Sequence, residues 1–496
     1  MKNIQVIKQM NRNYIKKKVL TFIICLLCLG MTGCLNKSEA VSNDNIVNES
    51  QQKSDLPENT EKSEACKENI RSSIKKYTWL SDNSEKLLEF ADYIIENYDV
   101  KKVSDALDNA NADAVQNSTG SSGTDGNDKE YRNNVSRCFY EAAGKSLYVL
   151  WDEYQGYLKD DKTAQEHQIY MKKSQTDTGN TGDVNISFAG DICLTEDGFV
   201  IDHYDEVNGD LSKCISSDII KKTSSADIFM LNHEYTVSTR GTPLKGKKYT
   251  FRATPEREKI LKELGTDIVS IANNHIYDYG AEAFSDTMDA LKKEQIPYVG
   301  AGANINEARK PVYFEVNGMK IGIVSANRSE KVIYTPEAGE NTPGVVRMYD
   351  TEMMKEIISC ASKECDYVIA YVHWGTEDSA KYESYQTDIA KDFVECGADA
   401  IIGGHPHVLQ GMEFINGKPV VYSLGDFWFN SETKYTTVVS LTVNMQGLQK
   451  MSLLPCMQEN YTTHTLEGDK ADEFYKYIQK LSPKVTIGND GIVSEH

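Results

Sequence analysis

The chain has little positive charge. Its 496 residues hold 54 Lys and Arg against 74 Asp and Glu, a formal net charge of −20. Six of those cations (Lys2, Lys8, Arg12, Lys16, Lys17 and Lys18) lie in the first 33 residues, which contain no acid, so the remainder is more acidic still. A surface of that sign excludes non-specific nucleic-acid binding and long-range capture of a polyanion. Any anionic substrate must be held by local cations or metal ions. The chain also lacks a long hydrophobic run: Val19–Gly30 is apolar but falls short of the roughly 20 residues a spanning helix needs. Twenty-six per cent charged residues and a negative mean hydropathy exclude a polytopic membrane protein. No Cys-x-x-Cys pair occurs after Cys28, which argues against a structural zinc ribbon. No internal repeat is present.

The N-terminus has a clear pattern. Basic residues ending at Lys16–Lys18 precede the apolar run, which closes on Met31-Thr32-Gly33-Cys34. This resembles a bacterial lipoprotein signal (residues 1–34) with Cys34 as the lipid-attachment site. An uncleaved N-terminal anchor is the alternative. Either places the remainder outside the cytoplasm, tethered to the membrane. Eight further cysteines follow. In an exported protein they can pair, and Cys66 with Cys138 is one such pairing. Cys360, Cys396 and Cys456 have the apolar or helical surroundings of buried free thiols.

Residues 35–60, rich in Ser, Asn, Lys, Glu and Gln, predict a disordered tether. Residues 61–171 predict a small helical module. Ile70, Ile74, Tyr77 and Leu80 recur at helical spacing, as do Leu87, Leu88, Ala91, Ile94 and Ile95, and later Phe139, Ala142, Leu147, Leu150 and Trp151. A low-complexity insertion, residues 105–130, interrupts it as a loop. The module contains no catalytic constellation. A linker covers 172–183, and 458–496 form a C-terminal extension. Between 184 and 457, short β-branched runs alternate with helical segments, which predicts an α/β domain with a partly parallel sheet. With two or three folding units suggested by length, this is the one that carries chemistry.

Five predicted strand ends in that domain stop at metal-ligating residue types: Gly190-Asp191, Asn232-His233-Glu234, Asn273-Asn274-His275, His373-Trp374-Gly375 and Gly404-His405-Pro406-His407. Ligands collect at the C-terminal ends of α/β strands. Glu234 can bridge two cations and Asn232 can orient it. Asp278, three residues past His275, can orient that imidazole. His405 and His407 can face the same way from an extended turn, one for each of two ions. A single strand-end His usually bonds a backbone carbonyl; it is the set that points to metal.

This order of motifs resembles the CapA-type poly-γ-glutamate capsule family, a branch of the calcineurin-like metallophosphoesterases. Tyr249-Thr250-Phe251-Arg252-Ala253, Asp278-Tyr279-Gly280, Gly300-Ala301-Gly302 and Ser423-Leu424-Gly425 extend the match. The resemblance implies a four-layer αββα sandwich and two divalent ions, Zn, Mn or Fe. It implies that Asp191 and His407 hold the first ion, Glu234 bridges, and Asn274, His373 and His405 hold the second. His275 would protonate a leaving group, Arg252 would receive an anionic substrate, and Asn232, Asp278 and Asp426 would stand behind the ligands. Lys245, Lys247 and Lys248 could receive an anionic substrate too, but they read better as a solvated loop. Three departures stand out. Asp191-Ile192-Cys193 replaces the Asp-x-His of full metallophosphoesterases, with Cys193 either a thiolate ligand or packing. Asp426 stands where Asn is usual, and either adds charge near the metals or caps a turn. His233 stands where an apolar residue is commoner. The implied partners are a cell-envelope polymer or anionic substrate and capsule-synthesis membrane proteins. A metal-dependent hydrolase is one expectation. A non-enzymatic assembly or polymer-binding component with a partly degraded site is another, and a tethered receptor-like module working through its helical half is a third.

Overall fold

A computed structural model describes residues 56–117, 129–173, 182–196, 198–329 and 334–496. The expected signal, Cys34 and nearly all of the tether lie outside them. No described helix is long and apolar enough to cross a membrane.

Residues 60–496 make one compact unit. It begins with helices Leu56–Ile74, Ser84–Asn97, Val100–Asn117, Lys129–Ala143, Leu147–Gln155 and Asp161–Glu166. Asn83 caps the second by accepting from the Glu85 and Lys86 amides, and Ser146 caps the fifth. Their apolar stripes bury Ile70, Ile74, Phe90, Ile94, Leu107, Phe139 and Leu150 against one another. The third helix runs through to Asn117, where composition had predicted a loop from residue 105; Val103, Leu107 and Ala110 carry the apolar stripe across that boundary. Residues 169–172 are not helical either. Ile169–Lys172 is a strand lying parallel to Val312–Val316 at the edge of a sheet.

Two sheets follow, packed face to face. The first has seven strands in the order Ile169–Lys172, Val312–Val316, Met319–Asn327, Tyr367–His373, Ala400–Gly404, Lys418–Val421 and Met412–Ile415. Its central four run parallel. The second has ten strands. Val184–Ile192, Ile228–His233, Ile268–Ser270 and Tyr298–Val299 are parallel on one side. Lys434–Asn444 and Gly447–Glu459 continue antiparallel on the other. Every residue of Ile228–His233, Met319–Asn327 and Tyr367–His373 is buried, as expected of strands covered on both faces. Between the sheets, alternate residues such as Ile186, Phe188, Met230, Ile321, Ile323, Ile369, Ile402 and Leu441 form one core. The opposite faces carry the helices, with Phe229, Leu231, Phe284 and Leu291 on one side and Val324, Val368, Ile401 and Phe393 on the other. The result is a metallophosphoesterase-like four-layer αββα sandwich.

Residues beyond 457 continue the second sheet. Thr462–Thr465 and Ile492–Glu495 both pair with Gly447–Glu459, and the helix Asp469–Leu481 puts Phe474 and Ile478 into the inter-sheet core. The helical module is joined to the first sheet by buried polar bonds as well as by its edge strand. Lys320 Nζ lies 2.5 Å from Asp152 Oδ2, and Ser136 Oγ donates to Asp366 Oδ1. All eight cysteines of the described residues are free thiols, so Cys66 and Cys138 do not pair.

Candidate metal centre

The parallel strands of both sheets end at the same edge of the sandwich, and their last residues meet there. Register sets the meeting. Asp191 lies opposite Asn232 in the second sheet, and His373 lies opposite Gly404 in the first. The approach is so close that some positions allow no side chain. A Cβ on Gly190 would lie 1.8 Å from the Gly425 carbonyl oxygen, and one on Gly404 would lie 2.7 Å from Asp191 Oδ1. The Gly-Asp and Gly-His motifs are therefore spacing devices. Trp374 plays a similar part, since its indole N–H donates to the Tyr422 carbonyl at 2.9 Å and locks the turn after His373.

Six side chains from both sheets converge. Glu234, His373 and His405 form one group whose candidate ligand atoms lie within 4.8 Å of one another; Asp191, Glu234 and His407 form a second. Glu234 belongs to both. Asn274 joins the first group, with its Oδ1 2.7 Å from His373 Nε2. Asn232 donates to Asp191 Oδ1 at 2.8 Å and to Glu234 Oε2 at 3.2 Å, holding the two carboxylates in place. Asn273 in turn donates to Asn232 Oδ1 at 3.0 Å. Asp426 bonds His407 Nδ1 at 2.7 Å and meets Lys434 at 3.3 Å. It is the carboxylate behind a candidate ligand imidazole, an arrangement that fixes ring orientation in metal sites. Asp278 Oδ2 lies 2.7 Å from His275 Nδ1.

His405 and His407 do not share an extended turn. Their φ angles are 97° and 58°, in the left-handed region that non-glycine residues seldom occupy. Such backbone persists where surrounding contacts over-determine it. Here the His405 amide donates to Asp191 Oδ2 at 3.1 Å and His407 is held by Asp426. The twist sends each ring to a different group.

The electrostatics favour added positive charge. Burial and then the neighbouring Glu234 carboxylate push Asp191 up to about 7, and burial pushes Glu234 up to about 7. Burial opposes the His407 cation, but Asp426, Glu234 and Asp191 outweigh it and raise His407 to about 10. Burial, then the facing imidazoles His373, His407 and His275, hold His405 far below its ordinary value. The donors also fit a cation. Glu234 Oε1 and His405 Nδ1 are buried with no hydrogen-bond partner, and unpaired buried polar atoms are costly. Ligands of mixed nitrogen and oxygen type suit Zn, Mn or Fe(II).

The three departures have physical readings. Cys193 belongs to neither ligand group; it packs in the apolar core beside Ile192, Leu194 and Trp428, and burial pushes its thiol well up. His233 bonds both Glu258 carboxylate oxygens at 3.2 Å and stacks on Tyr235 at 3.8 Å. Strand alternation turns it away from Asn232 and Glu234. Asp426 supports His407, as described. The Arg252 guanidinium lies 4.2 Å from the centre of the Tyr279 ring, and Phe251, its neighbour, packs 4.3 Å from the His275 ring. Lys247 is not solvated: its side chain is 3% exposed and pairs with Asp278 Oδ1 at 2.7 Å. Thr335, which donates to the Asn274 carbonyl at 2.9 Å, was likewise unmarked in the sequence.

A sandwich of this topology, with its ligand-type residues at the shared C-terminal edge of two sheets, defines the metallophosphoesterase-like class. Residues 185–431 match the model of the family described as bacterial capsule synthesis protein PGA_cap. The chain is 32% identical over 213 residues to the PGA biosynthesis protein CapA of Bacillus subtilis (strain 168), covering 42% of this chain and 55% of that one. It is 32% identical over 245 residues to the capsule biosynthesis protein CapA of Bacillus anthracis, covering 48% and 59%. It is 27% identical over 215 residues to a probable polyglutamine synthesis accessory protein of Mycobacterium tuberculosis, covering 42% and 57%. The chain thus spans just over half the length of these relatives, and it belongs to the CapA-type poly-γ-glutamate capsule biosynthesis family.

Proposed function

We propose that this chain is a metal-dependent hydrolase of the cell envelope, acting in poly-γ-glutamate capsule synthesis or anchoring and held at the membrane through a lipid on Cys34. The observation that carries the catalytic part is the pair of three-residue groups sharing Glu234, with buried atoms inside them that make no hydrogen bond. The lipid anchor is supported by the basic stretch, apolar run and Met31–Cys34 pattern alone. The capsule role is supported by the family and by the named relatives.

Two bound divalent ions would supply a low-pKa water and a clamp for a tetrahedral oxyanion. The chain's own residues do the rest. Asp191 and His407 hold one position, Asn274, His373 and His405 the other, and Glu234 both. Asn232 fixes the carboxylates. His275, oriented at Nδ1 by Asp278, presents Nε2 to the leaving group as its proton donor. Arg252, braced on Tyr279, receives a second anionic group of the substrate. This machinery suits a phosphoester and equally an amide such as a γ-glutamyl link.

A non-enzymatic assembly or polymer-binding role is the second reading. Asp191-Ile192-Cys193 favours it, because a His is missing from the set that would hold the first ion. The test is elemental analysis of the purified full chain after loading with Zn, Mn or Fe(II), followed by a phosphoester and γ-glutamyl panel with and without His275→Ala. About two ions per chain and turnover lost on chelation are expected. A chain that binds polymer but takes up no metal would leave only the second reading.

A further inference from the structure

Lys247 leaves the surface loop between Val237 and Arg252 and turns inward, while Lys245 and Lys248 stay exposed. Its ammonium touches two parts of the centre at once. It pairs with Asp278 Oδ1 at 2.7 Å, while Asp278 Oδ2 holds His275 Nδ1 at 2.7 Å. It also donates to the backbone carbonyl of Asn274, which Thr335 Oγ1 contacts at 2.9 Å. The loop is fixed for this task. The Leu244 amide donates to the Asp278 carbonyl at 2.8 Å, and Tyr334 Oη donates to the Gly246 carbonyl at 3.2 Å. A Cβ on Gly241 would lie 2.2 Å from the Tyr279 carbonyl oxygen, so the loop packs backbone against backbone.

We propose that Lys247 is a positioning residue serving both halves of the chemistry: through Asp278 it sets the His275 imidazole, and through the Asn274 carbonyl it sets the amide ligand of the second ion. The proposal rests on the hydrolase reading above. Its physical basis is that Asp278 is fully buried with His275, the Phe251 amide and Lys247 around it. Deleting the cation leaves a buried carboxylate without its counter-charge, and that carboxylate then reorients or draws in water. His275 follows it.

The test uses the full Mn2+-loaded chain with Lys247→Met, Lys247→Arg and Thr335→Val. A proton donor matters most when the leaving group is poor. Lys247→Met is expected to lower kcat for phenyl phosphate esters by about 10–100-fold, the usual effect of removing a group behind a ligand or catalytic side chain, and to affect p-nitrophenyl esters far less. KM stays near wild type, Lys247→Arg restores most of the loss, and adding Lys247→Met to His275→Ala does little more. Thr335→Val weakens one Mn2+ site and leaves the leaving-group dependence unchanged. Equal losses on both esters, or a full extra loss in the double variant, would overturn the proposal. If the wild type hydrolyses neither these esters nor a γ-glutamyl amide, the hydrolase reading fails, and Mn2+ titration decides the rest. Lys247→Met binding both ions as wild type does overturns the positioning role, and about 10–100-fold weaker binding at one site supports it. A wild-type chain that takes up no Mn2+ overturns both.

Discussion

Replacing Gly404 by Ala tests the close approach of the two sheets at the candidate metal centre. The added methyl would sit 2.7 Å from Asp191 Oδ1, inside the roughly 3.3 Å at which a carbon and an oxygen normally meet. Asp191 cannot step aside freely. It is fully buried, and its two oxygens take the Asn232 side-chain amide at 2.8 Å and the His405 backbone amide at 3.1 Å. Relief requires one of those bonds to break or the Ala400–Gly404 strand to shift. A hydrogen bond to a charged group is worth about 1.5–3 kcal/mol, and overpacking costs about 1–3 kcal/mol. A loss of about 1–3 kcal/mol in urea unfolding follows. The ions should respond unequally. Asp191 serves only the group with Glu234 and His407, so the full-chain variant is expected to keep the ion at Glu234, His373 and His405 and lose the other. Elemental analysis beside unfolding curves reads both quantities. A Gly404→Ala chain with two tightly held ions and wild-type stability would refute the geometry.

Other outcomes follow from the same contacts. Gly190→Ala should be harsher than Gly404→Ala, because its methyl meets a carbonyl oxygen at 1.8 Å and no side chain can yield; failure to accumulate as soluble protein is the expected result. Removing one partner of the buried Lys320–Asp152 pair, as in Asp152→Ala, should cost about 3–5 kcal/mol in denaturant unfolding and loosen the helical module first, seen as faster amide exchange there. Asp366 is raised by burial from 3.8 to about 6 in the folded chain. The folded state therefore holds its proton more tightly, and stability falls as pH rises from about 4 to about 6, by about 3 kcal/mol in all. Asp366→Asn removes that slope, so the stability difference between wild type and variant should change by that amount between pH 4 and 7. A constant difference would show that the carboxyl is not buried as described.

Much of the centre was legible because its side chains sit where strands stop. Asp191, Asn232, Glu234, Asn274, His373, His405 and His407 each follow an apolar run, and a run plus its terminal residue is local information. The structure brings all seven together. What was illegible depends on distant partners. Lys247 lies among Gly246, Lys245 and Lys248, and nothing nearby marks it as the lysine that turns inward to Asp278. Asp426 was marked as standing behind the ligands, but its particular partner, His407, lies nineteen positions away and was not legible. The left-handed backbone of His405 and His407 is imposed by contacts from Asp191 and Asp426, not by residue type. The strand at 169–172 was missed because its partner, Val312–Val316, is more than a hundred residues on. The sheet membership of Ile492–Glu495 is equally non-local.

That edge strand also guards the molecule against itself. Ile169–Lys172 covers the open side of Val312–Val316, a strand buried along its whole length. Take away everything before residue 184 and this strand would present bare amides and carbonyls beside Val, Tyr, Phe, Glu and Val, a template for joining another copy edge to edge. The segment before residue 184 thus acts as an intramolecular guard on the αββα sandwich. A shortened chain should form sheet-mediated dimers or aggregates while the intact one stays apart.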